Sequence, residues 1–251
     1  LEEHFTVYYW DERGCGPASR RDAESARLAR QIDDLGRWVA QIRSETHKDV
    51  TLMGISLGAT AALLAASRGL KGVHAIVAIS PDLKFPDIDL HVADYLMGKT
   101  APRRQAGLRK LGPPPYLEPA RFQQRARFLA DAGALQRGRT FLSQAGELLL
   151  GLLGTYGLTG TLRSLRNMSI VQGRMLPELV ELDLFPSLPK IAAPVHYLVS
   201  PQDPFMPPEL LDRLSRSVTQ TRQSLTTAPE ACHLVHFDCP ELVRSALHNY
   251  A

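Results

Sequence analysis

Cysteine is scarce in this chain of 251 residues: there are three, Cys15, Cys232 and Cys239. The count is odd and no pair has metal-ligand spacing, which argues against both a disulfide framework and a metal site. Reduced thiols in a cytoplasmic protein are the expectation. Charge of one sign is also lacking. Lys and Arg number 29 against 26 Asp and Glu, a formal net charge of +3, too small to suggest a nucleic-acid partner. The densest basic group, Arg103 and Arg104 with Arg109 and Lys110, reads as a solvated helix face. No run of about 18 apolar residues occurs, so no transmembrane helix is expected; Leu148 to Leu153 is apolar but short, with Gly151 inside it and Gly154 just after. Internal repeats and low-complexity tracts are absent too. What remains, 44% hydrophobic and 22% charged residues, is the composition of a packed globular core.

The apolar residues fall into short continuous runs. Thr6–Trp10 is rich in β-branched and aromatic side chains and ends at a polar turn, Asp11–Gly16, which predicts a strand. Residues 22–45 carry Leu28, Ile32, Leu35, Trp38, Val39 and Ile42 at helical spacing. Strands are predicted at Asp49–Ile55, Val73–Ile79, Pro194–Val199 and Gln223–Thr227. Helices are predicted at Gly58–Ala66, Pro208–Val218 and Glu241–Tyr250. Strands alternating with helices, the strands apolar throughout, indicate a mostly parallel sheet covered on both faces. Over a hundred residues without a strand signal separate Ile79 from Pro194. Helical stretches around 103–111, 118–131, 139–152 and 177–182 are broken there by Gly112, Pro113–Pro115 and Gly154–Gly160. A segment that long is no simple crossover. It reads as an inserted helical cap, dividing the chain into a core (1–80 and 190–251) and a cap (81–189).

Chemistry concentrates in three places. Gly54-Ile55-Ser56-Leu57-Gly58 follows a buried strand and opens an Ala-rich helix. A serine on such a sharp turn projects its hydroxyl above the sheet, and the helix N-terminus aims free amides at a developing oxyanion. The hydroxyl needs a base. Asp203 lies in the loop just past the Pro194–Val199 strand, where open α/β sheets place their sites, with Asp82 after the preceding strand as the rival acid. His233 and His236 share the loop before the last helix, and either serves as the base. Cys232, beside His233, reads as a small packing residue. No cofactor-binding or metal-binding set is visible.

These residues resemble the α/β-hydrolase superfamily and, within it, its proline iminopeptidase-like branch. Tyr9-Trp10-Asp11-Glu12-Arg13-Gly14-Cys15-Gly16 resembles the branch's Asp-Gln-Arg-Gly-x-Gly turn. Gly54–Gly58 matches the nucleophile elbow, and Leu111–Tyr116 resembles part of the cap. Pro194–Asp203 resembles the acid-bearing strand and loop. Ala231-Cys232-His233 with Pro240-Glu241 is similar to a Gly-His followed by Pro-Glu, which favours His233 over His236. The resemblance implies a Ser56–His233–Asp203 triad, with the Leu57 amide as an oxyanion donor. It implies hydrolysis of an ester or amide in a small molecule or short peptide, with no cofactor. Ile55 and Leu57 stand where the branch carries glycine and tryptophan, so specificity for an N-terminal proline is not implied. Family members also begin with strands and a His-Gly-Gly-type oxyanion loop. This chain, which opens on Leu1, lacks both, and an upstream segment is expected. A non-hydrolytic enzyme (lyase, acyltransferase or cyclase) and a non-catalytic ligand-binding protein are the alternative readings of the same fold. For the substrate, Glu147, Glu178, Glu181 and Asp183 are available to a free amine. Tyr95, Phe128, Phe141, Tyr156 and Met168 are available to an apolar group.

Overall fold

A computed structural model describes residues 1–18, 20–218 and 223–250. Its centre is a four-stranded, wholly parallel sheet of β1 (Val50–Ile55), β2 (Val73–Ile79), β3 (Val195–Val199) and β4 (Gln223–Thr227), in that spatial order. β2 carries the pattern's logic. Ala75 to Ile79 are all fully buried, because helices cover both faces and successive side chains point to opposite sides. Ile76 and Ala78 join one apolar cluster with Val195, Tyr197 and Val199. Val77 and Ile79 join another with Leu198.

On the first face lie α2 (Leu28–Thr46) and α3 (Leu57–Ser67). α2 buries Leu28, Ile32, Leu35, Val39 and Ile42, as their spacing predicts, while Trp38 is exposed. α3 is buried from Ala59 to Ala66, its alanines allowing close approach to the sheet. A short α1 (Arg20–Glu24) precedes α2, and α8 (Pro208–Val218) follows β3. The second face is covered by α9 (Val235–Asp238) and α10 (Pro240–His248), through Val235, Val243 and Leu247.

Between β2 and β3 run α4 (Phe85–Lys99), α5 (Pro102–Leu111), α6 (Pro119–Asp131) and α7 (Phe141–Leu179), then a 3-10 turn at Leu188–Lys190. α4 has no counterpart in the sequence reading; Pro86 sits in its first turn, where a missing N–H costs nothing. The ends of the insertion meet: Leu184 N–H donates to Leu83 O at 2.7 Å, and Phe85 N–H to Leu182 O at 3.0 Å. Its apolar side chains, Leu96, Leu129 and Met175 among them, belong to the same cluster as the sheet's first face.

One expectation needs correction and another is met. Thr6–Trp10 is extended but is not a strand. β-branched and aromatic side chains suit a pleated surface, but they form a strand only where a neighbour supplies the ladder, and Tyr9 is 78% exposed. The glycines between 154 and 160 do interrupt the helix: α7 is two helices that meet at a kink at Gly157 (φ 64°, ψ −177°), and the second of them begins well before the stretch expected around 177–182. The turn at Gly16–Ala18 docks on α7 through Ser164 Oγ to Gly16 O (2.6 Å), Arg163 to Pro17 O (3.0 Å) and Asn167 to Ala18 O (3.0 Å).

The same docking makes Gly14 irreplaceable. Its φ is +82°, and a Cβ there would stand 2.7 Å from both Ala23 Cα and Val171 Cγ2. Gly14→Ala is expected to destabilise the fold by about 2–4 kcal/mol, the sum of a left-handed non-glycine residue and overpacking. The check is the midpoint of urea unfolding, which should fall at an unchanged slope.

Candidate active site

Ser56 closes β1 and opens α3. Its backbone is strained (φ 52°, ψ −122°), a conformation tolerated only where the surroundings enforce it. They do so from both sides. Ser56 N–H donates to Ile79 O at 2.8 Å, and Thr60 N–H one turn on donates to Ser56 O at 3.1 Å. Gly54 gives the elbow its room: a Cβ there would lie 2.5 Å from Ala59 N and 2.6 Å from Ala59 Cα and Gly58 O, all backbone. At Gly58 the nearest atom to a Cβ is Glu12 Oε1, 4.0 Å away, so the elbow's second glycine is not held there by a clash. Ser56 remains half-exposed, and the Leu57 amide begins α3, among the N–H groups that a helix cannot satisfy internally.

Asp203 and His233 reach Ser56 from two loops. Asp203 lies four residues beyond β3, and His233 six beyond β4. His233 Nδ1–H donates to Asp203 Oδ2 at 2.8 Å. With that proton fixed, Nε2 is free to accept from the Ser56 hydroxyl, 3.0 Å away. The other carboxylate oxygen of Asp203 accepts Phe205 N–H at 2.8 Å. Asp203 and His233 are both buried, and only the serine end of the chain of bonds opens to solvent. The two loops are tied together: Ser200 Oγ–H donates to Ala231 O at 2.5 Å and accepts Gln202 N–H at 2.9 Å. The histidine loop also docks on the segment after α6, through His233 N–H to Ala134 O (3.2 Å) and Leu234 N–H to Leu135 O (2.7 Å).

Two opposing effects act on the imidazole. Burial disfavours its protonation, while the Asp203 carboxylate, by charge and hydrogen bond, favours it and prevails, so the His233 pKa is raised above the ordinary value. Asp82 adds to the rise and Arg125 opposes it.

The alternatives weighed from the sequence occupy other places. His236 stacks on Phe237, with ring centroids 4.1 Å apart, and its buried Nδ1 has no partner. Burial, then the nearby His233, pushes its pKa down to about 4. Asp82 is buried, its carboxyl pushed up to about 6 mainly by desolvation. Its backbone N–H donates to Thr60 Oγ1 at 2.9 Å, fastening the turn after β2 to the helix behind the elbow. Burial raises the Cys232 thiol pKa, and its N–H is held by Asp238 Oδ2 at 2.8 Å. Of the four insertion carboxylates singled out, Glu147 pairs with Arg139, Glu178 accepts Ala29 N–H at 3.4 Å, Asp183 accepts Phe185 N–H at 2.9 Å, and Glu181 is exposed. Of the five aromatic and apolar residues singled out, Tyr95 is near enough for Asp203 and Cys232 to raise its hydroxyl pKa, after burial. Tyr156 instead donates to Asp11 Oδ1 at 2.6 Å. Sequence reasoning missed Thr60, Ser200 and Phe205. Each acts through a contact with a residue distant in the chain or through a backbone bond, and no spacing rule encodes either. Among the described residues there is no cluster of metal-ligating side chains, and no helix is long and apolar enough to cross a membrane.

The elbow's dependence on Gly54 is testable. Gly54→Ala forces a methyl into backbone that cannot yield, and a cost of about 1–3 kcal/mol is expected. Calorimetry should show the lower melting temperature, whereas Gly58→Ala should melt close to the parent.

The molecule has known counterparts. Residues 1–246 match the family model described as "Alpha/beta hydrolase family". The Bacillus subtilis (strain 168) protein named "Probable aminopeptidase YbaC" is 23% identical over 263 residues, spanning 100% of this chain and 81% of the relative. The crystal structure of VinJ superposes with a TM-score of 0.70 at 16% identity, covering 99% of this chain and 81% of that one. A proline iminopeptidase-related protein from Thermus thermophilus gives 0.60 at 20% identity, over 96% and 77% of the two chains. With the parallel sheet and the elbow serine in place, the match over residues 1–246 settles the family: this chain belongs to the alpha/beta hydrolases.

Proposed function

We propose that the chain is a serine hydrolase that cleaves an ester or amide through an acyl-enzyme on Ser56. The observation that carries this reading is the unbroken Ser56–His233–Asp203 relay, with bonds of 3.0 and 2.8 Å. Ser56 Oγ attacks the substrate carbonyl carbon as its proton passes to His233 Nε2. Asp203 holds the other imidazole nitrogen and stabilises the resulting cation. The carbonyl oxygen, now an anion, faces the N-terminus of α3 and the Leu57 amide. One such donor is worth about 3–4 kcal/mol in comparable sites. Collapse of the tetrahedral adduct expels the alcohol or amine, which takes the proton from Nε2. Water, deprotonated by the same nitrogen, then attacks the acyl carbon, and Ser56 Oγ leaves with the proton.

The substrate class is a small molecule or short peptide. An aminopeptidase name on one relative and a proline iminopeptidase-related one among the neighbours favour amides. An esterase from Exiguobacterium antarcticum, with a TM-score of 0.56 at 17% identity, keeps esters in view. Residues 81–189 serve as the cap over the elbow, and Tyr95, whose hydroxyl feels Cys232 and Asp203, is assigned to the acyl or leaving group. Glu147, Glu178 and Asp183, each engaged with a partner of its own, are poorly placed to receive a substrate amine.

A fluorophosphonate probe tests the nucleophile. The parent is expected to gain one adduct by intact mass, and Ser56→Ala none; a labelled Ser56→Ala would sink the assignment. With p-nitrophenyl acetate as reporter, His233→Gln should lose about 10²–10⁴-fold in kcat/KM, the range for a general base. His236→Gln should stay near the parent. Because the base must be neutral to act, the rate should fall as pH drops through the raised His233 pKa. The midpoint is therefore expected above about 6.5, the ordinary histidine value; a plateau extending below that value contradicts the scheme.

A further inference from the structure

Arg125 on α6 is 1% exposed, and its guanidinium is paired with the equally buried Asp89 on α4. The second oxygen of that carboxylate, Oδ2, has no partner. A buried ion pair with an unsatisfied member is a poor stabilising device, since apolar residues of similar volume commonly do as well or better. Its surroundings suggest another use. The guanidinium carbon lies 4.9 Å from the ring centre of Phe122, 5.3 Å from Phe205, 5.7 Å from Tyr116 and 5.9 Å from Phe85. Three of these rings belong to the helical insertion. Phe205 belongs to the loop after β3.

Phe205 also touches the candidate base. Its ring centre is 4.3 Å from that of His233, the planes inclined by 33°, while its N–H holds Asp203 Oδ1. One residue thus contacts both the acid and the base, and its ring is gripped by a cation carried on the insertion.

We propose that Arg125 is a positioning residue: it holds the Phe205 ring against the His233 imidazole, so that the seating of α6 sets where Nε2 stands relative to Ser56. The proposal rests on the triad reading above and extends it to a residue that does not touch the reacting atoms. Planarity suits Arg125 to the task, because a guanidinium stacks on ring faces as an ammonium does not. The charged groups that act on His233 are Asp203 from the loop after β3, Asp82 from the turn after β2 and Arg125 from α6, and His233 in turn acts on the neighbouring His236 of α9. Arg125 opposes protonation of the base, whereas Asp203 and Asp82 favour it.

The test uses the whole chain with two variants. In the Arg125→Met, Asp89→Leu double variant the ion pair is exchanged for apolar side chains that fill the space. In Phe205→Leu the pair stays and the ring is lost. Two readouts are taken: the rate of fluorophosphonate labelling at pH 8, and the pH midpoint of the His233 imidazole by NMR with labelled histidine. Labelling is expected to slow about tenfold or more in both variants, since small misplacements of a reacting group carry penalties of that size. The His233 midpoint is expected to move upward in the double variant, where the cation is gone. Parent-like labelling and midpoint in folded variants would overturn the proposal, as would lost thermal stability with parent-like labelling. Should the double variant not fold, Phe205→Leu decides alone. Should the parent resist the probe, the Ser56 reading fails first, and the His233 titration still judges Arg125.

Discussion

Everything at the site hangs on the upper end of β2. Ile79 O accepts the Ser56 N–H on one side, and the next residue's amide, Ser80 N–H, donates to Leu198 O at 3.0 Å on the other. Those two bonds fix the ends of β1 and β3 on either flank of one buried strand. Parallel neighbours lie about 4.8 Å apart, so the loops leaving β1 and β3 start roughly 10 Å apart, two such spacings, with little freedom to drift. Ser80 takes a positive φ of 45° to turn the chain away, and its buried hydroxyl has no partner. Strain at both Ser56 and Ser80 is sustainable because the strands beneath are buried on both faces and cannot slip without exposing Ile76–Ile79.

Around this frame the polar groups are graded by how they are satisfied. Asp203 is fully engaged, by one imidazole N–H and one backbone N–H. Asp82 is buried without such engagement and is held nearer neutrality as a result. The difference follows from local geometry, since both aspartates sit just past the end of a buried parallel strand.

Much of this was legible in the sequence. Short apolar runs at Val73–Ile79 and Pro194–Val199, alternating with helical stretches, pointed to buried parallel strands, and the alanine-rich stretch after Ser56 pointed to a helix. Ser56, Asp203 and His233 stand at the ends of those elements, and the fold brings the three side chains within hydrogen-bonding reach. What escaped the sequence escaped for physical reasons. Thr6–Trp10 has strand composition, but composition does not provide a hydrogen-bonding neighbour. Gly154–Gly160 does break the helix, at Gly157, but no local signal showed that the chain resumes as a helix docked through Ser164 and Asn167. His236 and His233 are equivalent by spacing; what separates them is that one ring meets a carboxylate and a hydroxyl while the other meets Phe237. Arg125 looks in sequence like any helix-surface arginine, and only the convergence of four rings identifies it as a core residue.

His233 differs in kind from Ser56 and Asp203. Ser56 and Asp203 leave the sheet almost directly, so strand register determines where they stand. His233 comes six residues after β4 and has no such support. Its position is set from elsewhere: from Ser200 through Ala231 O, from Asp238 through Cys232 N–H, and from the insertion through the carbonyls of Ala134 and Leu135. The first of these anchors lies in the loop after β3, the second at the end of α9, and the third far away in the chain, just after α6. The inserted helices thus help to seat His233. The 3.0 Å contact between its Nε2 and the Ser56 hydroxyl depends on a loop that is fastened in part to the segment after α6. It follows that changes in the insertion would also move the His233 ring.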